Sequence, residues 1–346
     1  MHEALFYQRL EGGQVACGLC ARRCRIDVGR RGLCGVRENR DGRLVSLVYG
    51  KLVARNIDPI EKKPMFHFLP GSRSYSIATV GCNFRCRHCQ NNRIAQYPQA
   101  HGGAIPGTAT TPEEVVAEAL RTGCASISYT YVEPTIFFEF ACDCARLARE
   151  RGIGNVFVSN GYMTTEAIRY LAPMLDGINI DLKAFTDEFY RTICRARLAP
   201  VLESIRLFHE LGVLVEITTL IIPGLNDSEE ELRTIACFLK SVSVDIPWHV
   251  TGFHPASFML DRPPTPAATI DKAYAIGMEE GLRFVYSGNV AGAGGEDTYC
   301  PACGVTLIRR QGFKSQSVGL KGSRCSGCGI YFRSVGIREI SDFGVT

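Results

Sequence analysis

SYSIATVGCNFRCRHCQN, residues 74–91, is the stretch on which the fold turns. An apolar, strand-like segment (74–80) runs straight into a loop carrying Cys82, Cys86 and Cys89, spaced Cys-x3-Cys-x2-Cys. A cuboidal iron–sulfur cluster is ordinarily held by four thiolates. Three on one short loop can therefore leave the fourth iron open to an outside molecule. Zinc knuckles pair cysteines as Cys-x2-Cys with a second pair elsewhere. A bacterial ferredoxin run reads Cys-x2-Cys-x2-Cys with a fourth cysteine close behind. Neither matches, although a structural zinc or iron loop remains the bland alternative. Arg85, Arg87 and His88 share the loop, and nearby positive charge predicts lowered thiol pKa values that favour ligation.

Outward from this loop, strand and helix patterns alternate as far as residue 289. Strand-like runs fall at 74–80, 126–132, 155–160, 177–182, 215–221, 248–254 and 284–289. Their near-continuous apolar character suits parallel strands covered on both faces. Between them, Thr111-Pro112-Glu113-Glu114 predicts a helix over 112–121, and Asp227 or Ser228 is placed to cap another. Seven such units predict an α/β fold, a partial βα barrel short of the eight needed for closure. Cys82, Glu133, Asn160, Asp181, Lys183, His254 and Asn289 fall at or just after the C-terminal ends of the strands, the face on which such barrels carry active sites.

With 346 residues, 46% of them hydrophobic and 21% charged, the chain is long enough to bury a sizeable core. Its net charge of +4 permits an anionic partner without demanding one. The first residues, MHEALFYQRLEGG, lack the apolar segment of a secretory signal. No run of about 18 apolar residues predicts a membrane span. Sixteen cysteines in short-spaced groups read as metal ligands in a reducing, cytoplasmic setting rather than as disulfides. The expected organisation is a cysteine-rich N-terminal region (1–73), the barrel (74–295) and a C-terminal module (296–346). The segments 261–266 and 292–297 read as connecting loops.

At the C-terminus, Cys300, Cys303, Cys325 and Cys328 form two Cys-x2-Cys knuckles 21 residues apart, a zinc-ribbon pattern. Basic residues around them, Arg309, Arg310, Lys314, Lys321 and Arg324, offer phosphate contacts or simply a solvated loop. At the N-terminus, Cys17, Cys20, Cys24 and Cys34 fit a second structural zinc, with an auxiliary iron–sulfur cluster as the alternative the spacing leaves open. Of the five remaining cysteines (Cys124, Cys142, Cys144, Cys194 and Cys237), most read as small buried apolar residues. Cys194, after the fourth of these strands, is a candidate hydrogen donor or nucleophile at the barrel mouth.

The cluster spacing resembles the radical S-adenosylmethionine (SAM) superfamily. In that chemistry the amino and carboxylate groups of SAM chelate the open iron of a [4Fe-4S] cluster, and an electron from the cluster releases a 5′-deoxyadenosyl radical. The resemblance implies that Glu133, in YTYVEPT, contacts SAM's amino group, although Tyr131-Val132 replace the glycines usual there. Glu133 could instead serve as a helix-start carboxylate. VSNG at 158–161 and IDLK at 180–183 are similar to segments of glycyl-radical activases, which implies SAM contacts for Asn160, Asp181 and Lys183; the last two could alternatively pair with each other. His88 and His254 are further candidate SAM contacts, the former near the adenine. Across nearly its whole length the chain resembles the AmmeMemoRadiSam system radical SAM enzymes, on segments such as DPIEKKPMFHFLPGS, LIIPGLND and YSGNV. That resemblance implies an oxidoreductase using a reductant such as flavodoxin or ferredoxin, and Memo- and AMMECR-type partner proteins. Glycyl-radical activation, RNA modification and small-molecule transformation are the candidate reactions. A non-catalytic metalloprotein binding nucleic acid or protein through its ribbon is the alternative from another class.

Overall fold

The computed structural model describes residues 2–290, 295–332 and 336–337. Its centre is an eight-stranded sheet: β1 (Ala54–Pro59), β2 (Arg73–Ala78), β3 (Ser126–Tyr129), β4 (Gly154–Ser159), β5 (Gly177–Asp181), β6 (Leu214–Ile221), β7 (Trp248–Gly252) and β8 (Val285–Gly288). The strands lie side by side in chain order. β2 to β8 are parallel, each paired with the next, and they coincide with the seven runs expected. β1 pairs antiparallel to β2 and enlarges the sheet with residues expected to belong to the N-terminal region. Its sequence, ARNIDP, is largely polar and its middle is exposed, as suits an edge strand and conceals it from an apolar-pattern reading.

Six α-helices of seven residues or more separate the parallel strands: α1 (Pro112–Arg121), α2 (Phe138–Glu150), α3 (Thr165–Leu171), α4 (Ala199–Glu210), α5 (Glu229–Val242) and α6 (Ala267–Glu279). α1 starts where expected. Thr111 caps it, and Glu114 reaches back to the Thr111 backbone N–H, so two otherwise unpaired amides are satisfied. Of the two candidate caps for α5, Ser228 takes the role by accepting from the Glu231 amide. One apolar core joins strand residues such as Ile77, Ile127, Phe157 and Ile217 to helix residues such as Val115, Phe140, Ile205 and Leu232. Among the described residues no helix is long and apolar enough to cross a membrane.

The sheet is an α/β partial barrel with β1 and β8 at its two edges, and the C-terminal module spans the gap between them. It follows β8 and packs Leu307, Ile308, Cys300 and Cys325 against Phe66, Phe284 and Tyr286. Ser315 Oγ donates to Glu61 Oε1 at 2.6 Å. Arg310, expected among the basic surface residues, is instead inserted into this seam. It is 6% exposed, donates to the carbonyl oxygens of Phe66 and Glu296 and to Thr298 Oγ1, and lies 4.2 Å from the centroid of the Phe66 ring. Its charge serves packing and cation–π contact, not phosphate. The loop expected at 261–266 lies between β7 and α6; residues 292–294 of the other expected loop lie outside the described residues, as do 333–335 and 338–346 of the C-terminal module.

Candidate active site at the barrel mouth

A cavity of about 820 Å³ opens at the C-terminal ends of the strands, lined by Cys82, Cys86 and Cys89 together with His88, Glu133, Asn160, Asp181 and Lys183. The three thiols are pushed up, not down as the neighbouring arginines suggested. Burial raises Cys82 above its ordinary value, with the Glu133 carboxylate adding to it. Burial takes Cys89 up to about 11. At Cys86 the adjacent Cys194 thiol, followed by burial, has the same effect. The arginines fail to offset this because Arg85 is spent on other partners, donating to Gln96 Oε1 and the Leu33 carbonyl. Thiols so placed shed their protons when a metal replaces them.

Glu133 is 3% exposed and caps the short helix Pro134–Phe137, accepting from the Thr135 amide. Its Oε1 also accepts from Ser159 Oγ at 2.8 Å, and its Oε2 accepts from the Asn160 amide at 2.7 Å. Burial raises its pKa, and these donors act against that rise. The side chain is thus both a helix cap and a cavity wall. Asn160 is pinned by donating from Nδ2 to Asn83 Oδ1 at 2.8 Å. Asp181 and Lys183 share a face and pair at 2.8 Å. Burial opposes the lysine charge, but Asp181 and the nearby thiols outweigh it and hold the Lys183 pKa well above normal.

His88 is buried, and burial with Lys183 nearby lowers its pKa to about 3, so the ring is neutral. Its Nδ1 has no partner, as is true of Thr218 Oγ1, Ser287 Oγ and Glu61 Oε2, and all four residues line the cavity. A buried polar atom without a partner calls for an explanation, and a bound ligand or water is one. Three cysteines on one loop beside a large cavity walled by polar side chains fit a [4Fe-4S] cluster with SAM at its open iron.

Two expected site residues fall elsewhere. His254 is exposed beyond the end of β7, with Nε2 3.1 Å from the Asn289 carbonyl oxygen, and it does not line the cavity. Cys194 is fully buried behind the cluster loop, where the Cys194 and Ile193 carbonyl oxygens accept from the Arg85 and Arg87 amides. The helical turn that carries it faces the loop's back rather than the barrel mouth.

Tyr131 takes φ +62°, a left-handed conformation that costs a non-glycine residue roughly 1–2 kcal/mol. Its hydroxyl donates to Asp58, and Asn56 Nδ2 lies 3.1 Å from the same oxygen. The Lys63 ammonium sits 4.5 Å from its ring centroid. These anchors from β1 and the turn after it hold the strained residue in place. Lys63 is pushed down to about 8 by burial, against the pull of Asp58.

Lys63, Glu61 and His249 line the cavity and were not anticipated from the sequence. His249 Nε2 lies 2.7 Å from Glu216 Oε2, and that carboxylate also accepts from the Phe66 and His67 amides. Burial opposes the Glu216 charge, yet His249 and the other donors outweigh it and hold the pKa below normal. A signal existed: Glu216 and His249 are polar residues inside otherwise apolar strand runs.

The C-terminal cysteines form a compact tetrad. Cys300 and Cys328 Sγ are 3.6 Å apart, Cys303 and Cys325 Sγ 3.5 Å, and all four lie within 4.8 Å of one another. A Zn–S bond of about 2.3 Å sets tetrahedral thiolates about 3.8 Å apart, so the group could bind one such metal ion.

Residues 76–236, from within β2 to within α5, match the Radical SAM superfamily model, so this part of the chain is a radical SAM domain. It is 46% identical over 332 residues to the uncharacterised protein MJ0808 of Methanocaldococcus jannaschii, covering 95% of this chain and 98% of that one. It is 29% identical over 176 residues to the isethionate sulfite-lyase activating enzyme of Desulfovibrio desulfuricans, a match spanning 49% of this chain and about half (55%) of that enzyme. In fold it resembles the crystal structure of Streptococcus suis SuiB bound to S-adenosylmethionine, at a TM-score of 0.50 and 14% identity over 70% of this chain and 56% of that one.

Proposed function

We propose that this protein cleaves SAM reductively at a [4Fe-4S] cluster held by Cys82, Cys86 and Cys89, and abstracts hydrogen from a substrate in the same cavity. When bound, cluster and SAM would supply the electron and the 5′-deoxyadenosyl radical. The observation that carries this reading is the three-cysteine loop opening onto a cavity walled by Glu133, Asn160, Asp181, Lys183 and His88.

Each side chain has a definite task in this reading. Glu133 Oε2 offers a buried negative charge to SAM's ammonium group. The Asn160 amide is held against Asn83 on the same wall. The Asp181–Lys183 pair presents a fixed dipole toward the ribose and methionyl carboxylate. Neutral His88 offers its unpartnered Nδ1 to the adenine.

Likeness to an activating enzyme supports a glycine in a partner protein as the hydrogen source. An AmmeMemoRadiSam setting with Memo- and AMMECR-type partners, which the segment resemblance implies, and a flavodoxin- or ferredoxin-type reductant in a reducing cytoplasm complete the proposal. Burial of Arg310 removes part of the basic surface that favoured RNA. Zinc in the C-terminal tetrad belongs to the same proposal. The test is anaerobic: reconstituted, dithionite-reduced protein with SAM should yield 5′-deoxyadenosine, and Cys86→Ala should not. Well-loaded, reduced protein that forms none would overturn the reading.

A further inference from the structure

We propose that Cys17, Cys20, Cys24 and Cys34 hold a second, closed iron–sulfur cluster rather than a zinc ion. The contrast lies within the molecule. The C-terminal cysteines contact one another in pairs and leave space for a single ion. The N-terminal four instead surround an enclosed cavity, lined by all four cysteines together with Leu19, Ile26, Ile136 and Asn83.

Among the described residues, the C-terminal tetrad is the group of three or more ligands whose atoms all lie within 4.8 Å of one another. Neither Cys17, Cys20, Cys24 and Cys34 nor Cys82, Cys86 and Cys89 form such a compact group. The N-terminal thiols nonetheless line one and the same cavity. They form one site, wider than a zinc site. Four thiolates on one zinc share a centre, whereas four on a cuboidal cluster attach to separate irons and stand further apart. The superfamily's cluster loop, in the same chain, shows the wider arrangement.

The backbone supports a built site. Cys17 Sγ lies 3.5 Å from Nη1 of buried Arg37, whose charge is balanced by Glu139. The segment docks on the loop after β4 through Ala21 N to Tyr162 O and Thr164 Oγ1 to Gly18 O. It also shares a wall with the cluster loop. Asn83 faces the four thiols while Cys82 and Phe84 face the large cavity, and Arg22 Nε donates to the Asn83 carbonyl oxygen at 2.8 Å. At Gly81, with φ +100°, an added Cβ would meet the Cys34 carbonyl oxygen at 2.9 Å, so the two cysteine segments touch backbone to backbone. With four protein ligands the second cluster has no open iron and does not take SAM.

The test uses the full chain, reconstituted anaerobically with iron and sulfide. Wild type should hold about eight irons, four for each cluster. The triple variant C82A/C86A/C89A should keep about four, with a reduced-cluster resonance that SAM leaves unchanged. C17A/C20A should lose about half the iron and no zinc. Wild-type protein with about four irons, whether it carries a second zinc or nothing at the N-terminus, overturns the proposal, as does an iron-free triple variant. If C17A/C20A fails to fold, the triple variant still decides. Eight irons without SAM cleavage would sink the proposed function and leave this inference standing.

Discussion

Replacing Glu133 with glutamine exchanges one carboxylate oxygen for an NH2 group and separates two roles of the side chain. Oε1 already accepts from Thr135 N at 3.1 Å, Ser159 Oγ at 2.8 Å and Thr135 Oγ1, whereas Oε2 accepts from Asn160 N at 2.7 Å. The glutamine oxygen should keep the three-donor position, which leaves its NH2 facing the Asn160 N–H. One charge-assisted hydrogen bond is lost and a buried donor meets a donor, a cost of about 2–3 kcal/mol in stability. If Oε2 also faces SAM's ammonium, losing that charge removes a further 1.5–3 kcal/mol of binding, roughly a 10- to 150-fold rise in Kd. Anaerobic equilibrium dialysis with labelled SAM reads the second quantity, and urea midpoints at matched iron content read the first. Glu133→Asp keeps the charge and should recover part of the affinity. A Kd within threefold of wild type for Glu133→Gln, at normal iron loading, would refute the assignment of Glu133 to SAM and leave it a helix cap.

Three further outcomes follow from the same physics. Glu139→Ala leaves Arg37 charged, buried and unpaired; both side chains are 2% exposed, so about 3–5 kcal/mol of stability should vanish in urea unfolding. Asp58 is held below the usual carboxylate range because Lys62, Lys63 and Tyr131 outweigh the effect of burial. Its contribution is therefore present above the unfolded value of about 4 and is lost as pH falls below it. The stability difference between wild type and Asp58→Asn should shrink in that acid window, and a constant difference would count against the pairing. Metal analysis of C300S/C303S should show one zinc fewer than wild type with 5′-deoxyadenosine formation retained in well-folded protein; unchanged zinc would remove the tetrad as its site.

Much of this protein is local and therefore readable. Seven parallel strands show as apolar runs because both their faces are covered, and the start of α1 shows because a capping box is a four-residue affair. The Cys-x3-Cys-x2-Cys loop is legible for the same reason: its ligands sit on one short segment. Residues at strand ends, Glu133, Asn160, Asp181 and Lys183 among them, inherit their position at the cavity from the barrel rule itself.

What sequence could not supply depends on contacts between distant segments. β1 is polar and pairs only because β2 offers an edge, and from it Asp58 reaches Tyr131 across 73 residues. Whether Arg310 is a phosphate ligand or a packing element depends on Phe66, 244 residues away in the chain. His254 and Cys194 carry the right chemistry at the right spacing, yet a side chain's direction is set by its neighbours, and these two face solvent and core. By itself, then, the sequence determined an open three-thiolate loop on a βα barrel. The tertiary structure alone decided which side chains meet at the mouth and how far apart the other cysteines stand, because burial and distance are properties of the packed chain and not of its order.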